Sequence, residues 1–148
     1  MAIMACCGAG LLGSLFIDSS FGSWYESLAK PFFTPPNWVF LPIWALLYGM
    51  MSAALAIMWL KDPHADEFSG WVPLFLVHLI ANFGWVIFFF GFHAILIALI
   101  DSVILAFCIF MLICGALEVD KRVSWLLAPY LAWVLFALVL NAAIWFLN

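Results

Sequence analysis

The run GWVPLFLVHLIANFGWVIFFFGFHAILIALIDSVILAFCIFMLICGAL, residues 70–117, contains a single charged side chain, Asp101. Wound as one α-helix it would be about 70 Å long at ~1.5 Å per residue, more than twice the ~30 Å hydrocarbon core of a bilayer. It must fold back on itself, and Gly91-Phe92-His93 is the obvious hinge. Two spans follow, at about 70–91 and about 94–117.

Working outward, charges and prolines delimit the other spans. The first is expected at about 2–17, the second at about 38–60 and the fifth at about 123–148. Between them lie a proline-bearing connection, 18–37, an acidic loop, 61–69, and the charged cluster 118–122. Composition agrees: of 148 residues 70% are apolar and 8% charged, with a mean hydropathy of +1.25. A soluble domain carries roughly a quarter charged residues, so lipid is the solvent for most of this chain. At roughly 20 residues per span, five helices leave room for connections and seven do not. Alternating ten-residue strands of an outer-membrane barrel are absent. The expected architecture is therefore an all-α membrane protein, a single five-helix transmembrane bundle over residues 1–148.

Bulk counts narrow the function. A net charge of −4 leaves no basic surface for nucleic acid. Cys6, Cys7, Cys108 and Cys114 lie in apolar stretches and suggest neither a zinc site nor a disulfide framework. No Lys or Arg precedes the first apolar stretch, so a cleavable signal is not expected. Lys61, Lys121 and Arg122 fall on the side of the N-terminus and Lys30 on the other, which favours a cytoplasmic N-terminus in a plasma membrane. Small residues at four-residue spacing (Cys6, Gly10, Ser14; Ala5, Ala9, Gly13; Gly49, Ala53) suit close helix approach within one bundle or in a homodimer.

Nine tryptophans stand out. Trp24, Trp38, Trp59, Trp71, Trp125 and Trp145 fall near span ends, where an interfacial belt accounts for them. Trp44, Trp85 and Trp133 do not. At ~1.5 Å per residue, Trp44 and Trp85 lie about 9 Å below the membrane side bearing loop 18–37, and Asp101 and Asn141 about 10 Å below it. Asn82 and Tyr48 are slightly deeper, and Trp133 is near mid-membrane.

Facing points the same way. His78, Asn82, Trp85 and Phe89 form one helical stripe, Trp44, Tyr48 and Met51 a second, and Trp133, Ala137 and Asn141 a third. Polar stripes turn away from hydrocarbon, so these are expected to line a cavity with aromatic walls and few polar anchors, open towards loop 18–37. Asp101 is read as a lining carboxylate, with two alternatives: a helix-packing hydrogen-bond donor if protonated, or a partner of His93 or Asn141. Asn82 and Asn141 suit either lining or helix bridging. His78 has no second ligand placed to complete a metal site. No nucleophile–base pair, phosphate loop or paired carboxylates are visible, and no cofactor or metal is expected. Loop 18–37, with Trp24-Tyr25-Glu26, Lys30-Pro31 and Pro35-Pro36, reads as a packed lid.

The segment Trp24-Tyr25, Leu28, Lys30-Pro31, Pro35-Pro36, Trp38-Val39, Trp44 and Leu47-Tyr48 resembles the first-loop and second-helix signature of the translocator protein family, the TspO or tryptophan-rich sensory proteins, called peripheral benzodiazepine receptors in animals. Asn82 with Trp85 is similar to its third-helix pair, and Pro129-Tyr130, Trp133, Phe136-Ala137 and Leu140-Asn141 to its fifth helix. The resemblance runs from about Trp24 to the C-terminus, with little from the first span. It implies a five-helix bundle, often dimeric, that binds porphyrins, haem, sterols and benzodiazepine-type drugs beneath the first loop. Carried over by motif, the pocket would include Tyr25, Trp44, Tyr48, Asn82, Trp85, Phe89, Trp133 and Ala137. Some bacterial relatives are similar to light-dependent porphyrin-degrading proteins, a resemblance that would make Trp44 and Trp133 catalytic. Two departures are Phe33, where relatives commonly have Trp, and a tail, 142–148, without Lys or Arg, so the animal sterol motif is missing.

Three functions are thus in view: a membrane receptor or transporter for porphyrin, haem and related flat hydrophobic molecules; a light-dependent porphyrin-degrading enzyme; and a stress-linked interaction protein working through its small-residue faces.

Overall fold

The computed structural model describes residues 24–61 and 66–148, with side chains in the second segment from Gly70 onward. The expected first span, 2–17, and the small-residue faces on it lie outside the described residues. A single turn, α1 (Trp24–Ser27), is followed by α2 (Asn37–Lys61), α3 (Asp66–Val86) running into a π-turn (Ile87–Gly91), α4 (Ile95–Val119) and α5 (Lys121–Leu147). Four helical stretches, Asn37–Lys61, Gly70–Gly91, Ile95–Val119 and Lys121–Leu147, are long and apolar enough to cross a bilayer. The chain is an all-α, multi-pass membrane protein.

The reversal at Gly91-Phe92-His93 is built from wide-turn hydrogen bonds. Phe92 N–H donates to Ile87 O at 2.9 Å and Ala94 N–H to Phe88 O at 2.8 Å. His93 takes the left-handed conformation, φ 56°, which lets the chain double back at once. At the other membrane face the cluster 118–122 is less of a loop than its charge suggests. α4 continues through Val119, and Asp120 alone separates it from α5 while its carboxylate caps that helix by accepting from Arg122 N–H at 2.9 Å. That bond, with Lys61 3.3 Å from Asp120 Oδ2, holds the Asp120 carboxyl below its usual range.

Side by side, the helices form an arc in the order α2, α5, α4, α3. The half of the arc near Asp120 is tightly packed: Met58, Ile109, Leu112, Ala116, Val123 and Leu127 are at most 1% exposed. Ser124 Oγ donates to Ile113 O at 3.0 Å there. Trp71, expected at the interface, is instead 4% exposed and donates its indole N–H to Leu112 O at 3.0 Å. The reason is that α3 begins at Asp66, so Trp71 sits inside the helix and faces α4, where Gly115 leaves room for the ring. Trp38, Trp59, Trp125 and Trp145 remain exposed, as a belt requires.

Candidate functional site

The other half of the arc is hollow. An inner cavity is lined from α2 by Phe40, Trp44, Leu47, Tyr48 and Met51, from α3 by Asn82 and Trp85, from α4 by Ser102 and Leu105, and from α5 by Tyr130, Trp133, Val134 and Ala137. An outer cavity lies under the lid, lined by Tyr25, Phe40, Trp44, Trp85, Phe89, Phe90, Ala137, Leu140, Asn141 and Ile144. Phe40, Trp44, Trp85 and Ala137 line both, so the two chambers share one aromatic wall.

Three buried polar side chains tie the helices at the inner chamber. Tyr48 O–H donates to Asn82 Oδ1 at 2.7 Å, and Asn82 Nδ2 donates to Tyr130 Oη at 2.9 Å. This crosses from α2 to α3 to α5 and presents a neutral carboxamide to the cavity. His78, one turn further from the lid, lines neither chamber; its Nδ1 lies 2.7 Å from Phe75 O and its Nε2 3.3 Å from Met51 Sδ. Since a carbonyl only accepts, Nδ1 carries the proton.

At the outer chamber Asn141 is 2% exposed. Its surrounding donors set the amide orientation: the oxygen accepts from Leu99 N–H and from Trp85 Nε1–H, both at 3.2 Å. Trp85 is thereby fixed between the chambers and stacks on Phe89 at 5.2 Å and 12°. Phe89 and Phe90 are both buried because the π-turn that carries them reduces the angular step between successive residues.

The lid closes over this. Tyr25, 3% exposed, lies 6.2 Å from Phe89 and 6.0 Å from Phe90, ring to ring. Trp24 stacks on His93 at 4.0 Å, and the Asn148 side chain both accepts from Ala29 N–H at 3.0 Å and donates to Ala29 O at 3.1 Å. Thr34 N–H and Oγ1 both donate to Pro31 O, so the proline segment is a closed turn. Burial raises the Tyr25 phenol above its usual range.

All eight residues carried over by motif line one chamber or both: Tyr25, Trp44, Tyr48, Asn82, Trp85, Phe89, Trp133 and Ala137. Asn141 joins them, whereas Asp101 does not. Its carboxyl packs over Gly84 at the α3–α4 seam, 3.6 Å from where a Cβ would stand, and its Oδ2 has no partner among the described residues. Neither His93 nor Asn141 is its hydrogen-bond partner, and the next residue, Ser102, turned about 100° further round the helix, faces the cavity in its place. Sequence reasoning missed Phe40, Phe90, Ser102, Leu105, Val134, Ile144 and, as lining residues, Leu47, Tyr130 and Leu140. Phe40 continues the Trp44–Tyr48 stripe by one turn and Tyr130 continues the Trp133–Ala137–Asn141 stripe, so both were within reach of the same spacing rule. Gly49 and Ala53 are exposed, and nothing described lies within 4 Å of a Cβ built at Gly49.

An arc of transmembrane helices, tightly packed at one end and lined by two cavities at the other beneath a packed lid, defines a multi-pass membrane protein with aromatic-walled cavities at one end of the bundle. The sequence profile of the TspO/MBR family matches residues 2–146. The chain belongs to that family. It is 41% identical over 147 residues to the tryptophan-rich protein TspO of Archaeoglobus fulgidus, covering 99% of this chain and 94% of that one. It is 38% identical to the protein of the same name from Chlorobaculum tepidum, covering 100% and 94%, and 32% identical to the translocator protein of Homo sapiens, covering 90% and 80%.

Proposed function

We propose that this protein is a receptor or transporter-like binder of flat hydrophobic molecules of the porphyrin and haem class, held in the two chambers beneath the lid. The observation that carries the reading is the shared wall of Phe40, Trp44, Trp85 and Ala137, which joins two aromatic chambers into one elongated site. Trp44, Trp85 and Trp133 supply stacking surfaces, each such ring pair contributing about 0.5–1.5 kcal/mol beyond its area. Asn82, already oriented by Tyr48 and Tyr130, retains an amide hydrogen and a lone pair to anchor one polar group of the ligand. The resemblance to porphyrin-binding members of the family supports the same ligand class.

The test is a titration of the purified protein with protoporphyrin IX in the dark, followed by tryptophan quenching. Saturable quenching in wild type that is lost in Trp44→Phe and Trp133→Phe supports the site, and equal quenching in all three overturns it. A second reading, light-driven porphyrin degradation, is favoured by the placement of three indoles around the inner chamber, where each faces a bound pigment. It requires a new pigment spectrum that appears only on illumination and only with Trp44 and Trp133 intact.

A further inference from the structure

We propose that Lys30 pairs with the carboxylate of an amphipathic anionic ligand and so fixes its orientation, apolar edge inward and acidic edge at the lid. This rests on the chambers being the ligand site. The chain has four Lys and Arg residues. Three are at the opposite ends of the helices: Lys61 closes α2 against Asp120 at 3.3 Å, and Lys121 and Arg122 begin α5. Lys30 alone is on the lid side, with its Nζ 4.7 Å from the centroid of the Tyr25 ring and donating to Glu26 O at 3.3 Å. The same Tyr25 ring lines the outer chamber, so the ammonium stands at the mouth of the site on a long flexible stem.

Inside, every polar lining group among the described residues is neutral: Tyr48, Asn82, Ser102 and Tyr130 in the inner chamber, Tyr25 and Asn141 in the outer. A carboxylate buried there would lose its hydration with no cation to compensate, a penalty that neutral hydrogen bonds do not repay. His93, also on the lid side, stacks on Trp24 and lines neither chamber. A flat molecule with acidic groups along one edge therefore enters by its other edge and leaves the acids near Lys30. A neutral molecule of the same shape gains nothing from that residue.

The experiment compares protoporphyrin IX, which carries two carboxylates, with its uncharged dimethyl ester. Both are titrated in the dark, in uncharged detergent at low and high salt, into wild type, Lys30→Met and Lys30→Arg. Lys30→Met is expected to weaken the diacid about two- to fivefold, the range of a partly exposed charge pair, and to leave the ester unchanged. Lys30→Arg retains the diacid affinity, and salt narrows the gap between wild type and Lys30→Met. Unchanged diacid affinity in Lys30→Met overturns the orientation, and so does an equal loss for both porphyrins, which would make Lys30 a packing element over Tyr25. If wild type binds neither porphyrin, the ligand site itself is refuted and the orientation falls with it.

Discussion

Replacing Asn141 with leucine keeps the side-chain volume and removes the acceptor shared by the Trp85 indole and the Leu99 amide. Interhelical hydrogen bonds in membrane bundles contribute about 0.6 kcal/mol on average and up to about 1.7 each. Two lost bonds at a position 2% exposed therefore cost about 1–3 kcal/mol of bundle stability, with no cavity penalty added. Reversible unfolding in mixed micelles measures the total. The specific assignment needs a cycle: in a Trp85→Phe background only the Leu99 bond remains to be lost, so Asn141→Leu should cost about 0.6–1.7 kcal/mol less than in wild type. Trp85 emission should also shift and ligand affinity fall, because an unanchored ring no longer holds the wall between the chambers. Equal costs of Asn141→Leu in the two backgrounds would refute the idea that Asn141 positions Trp85.

The inner network predicts coupling of a similar kind: Tyr48→Phe and Asn82→Leu, made singly and together, should interact by about 0.5–2 kcal/mol in unfolding experiments, while purely additive losses would contradict the 2.7 Å bond between them. Trp71→Phe removes the bond to Leu112 O in the closed half and should cost about 1–2 kcal/mol while leaving porphyrin affinity unchanged, a separation checked by unfolding and binding on the same preparation. Burial raises the Tyr25 phenol, so the opened lid gives up its proton first; closure is at full strength below about pH 10 and weakens as pH rises past it. Tyrosinate absorbance in parallel with quenching of Trp24 should show that loss, and Tyr25→Phe should abolish it.

How much of this was legible follows from what hydrocarbon does to sequence. Lipid tolerates few charges, so the charges that exist mark span ends, and the reversal after Gly91 was visible from the length of 70–117 alone. Position along each helix was legible too, because helical rise converts residue number into distance along the axis. Azimuth was not: Asp101 and Ser102 share a depth, and only the packing of α4 against Gly84 decides which of them faces the cavity. Trp71 shows the other weakness. Its place near a nominal span end suggested a belt residue, but the helix starts earlier and a glycine on the next helix makes room for the ring, a pairing that no single segment reveals. The stripes from three helices still line the same two cavities, because one misplaced side chain changes little in a stripe.

Two halves of one bundle with different packing also decide where the molecule yields. Around Met58, Ile109, Leu112 and Leu127 the helices are in full contact and are tied by the Trp71 and Ser124 side chains to backbone carbonyls, so splaying them exposes apolar surface and breaks hydrogen bonds together. At the other end the same helices are separated by the chambers, and what covers them is held by the Trp24–His93 stack, the Asn148 clamp on Ala29 and the burial of Tyr25. Local opening follows the path with least buried apolar contact. Among the described residues the lid is held by fewer such contacts than the closed half, and Lys30 lies on it.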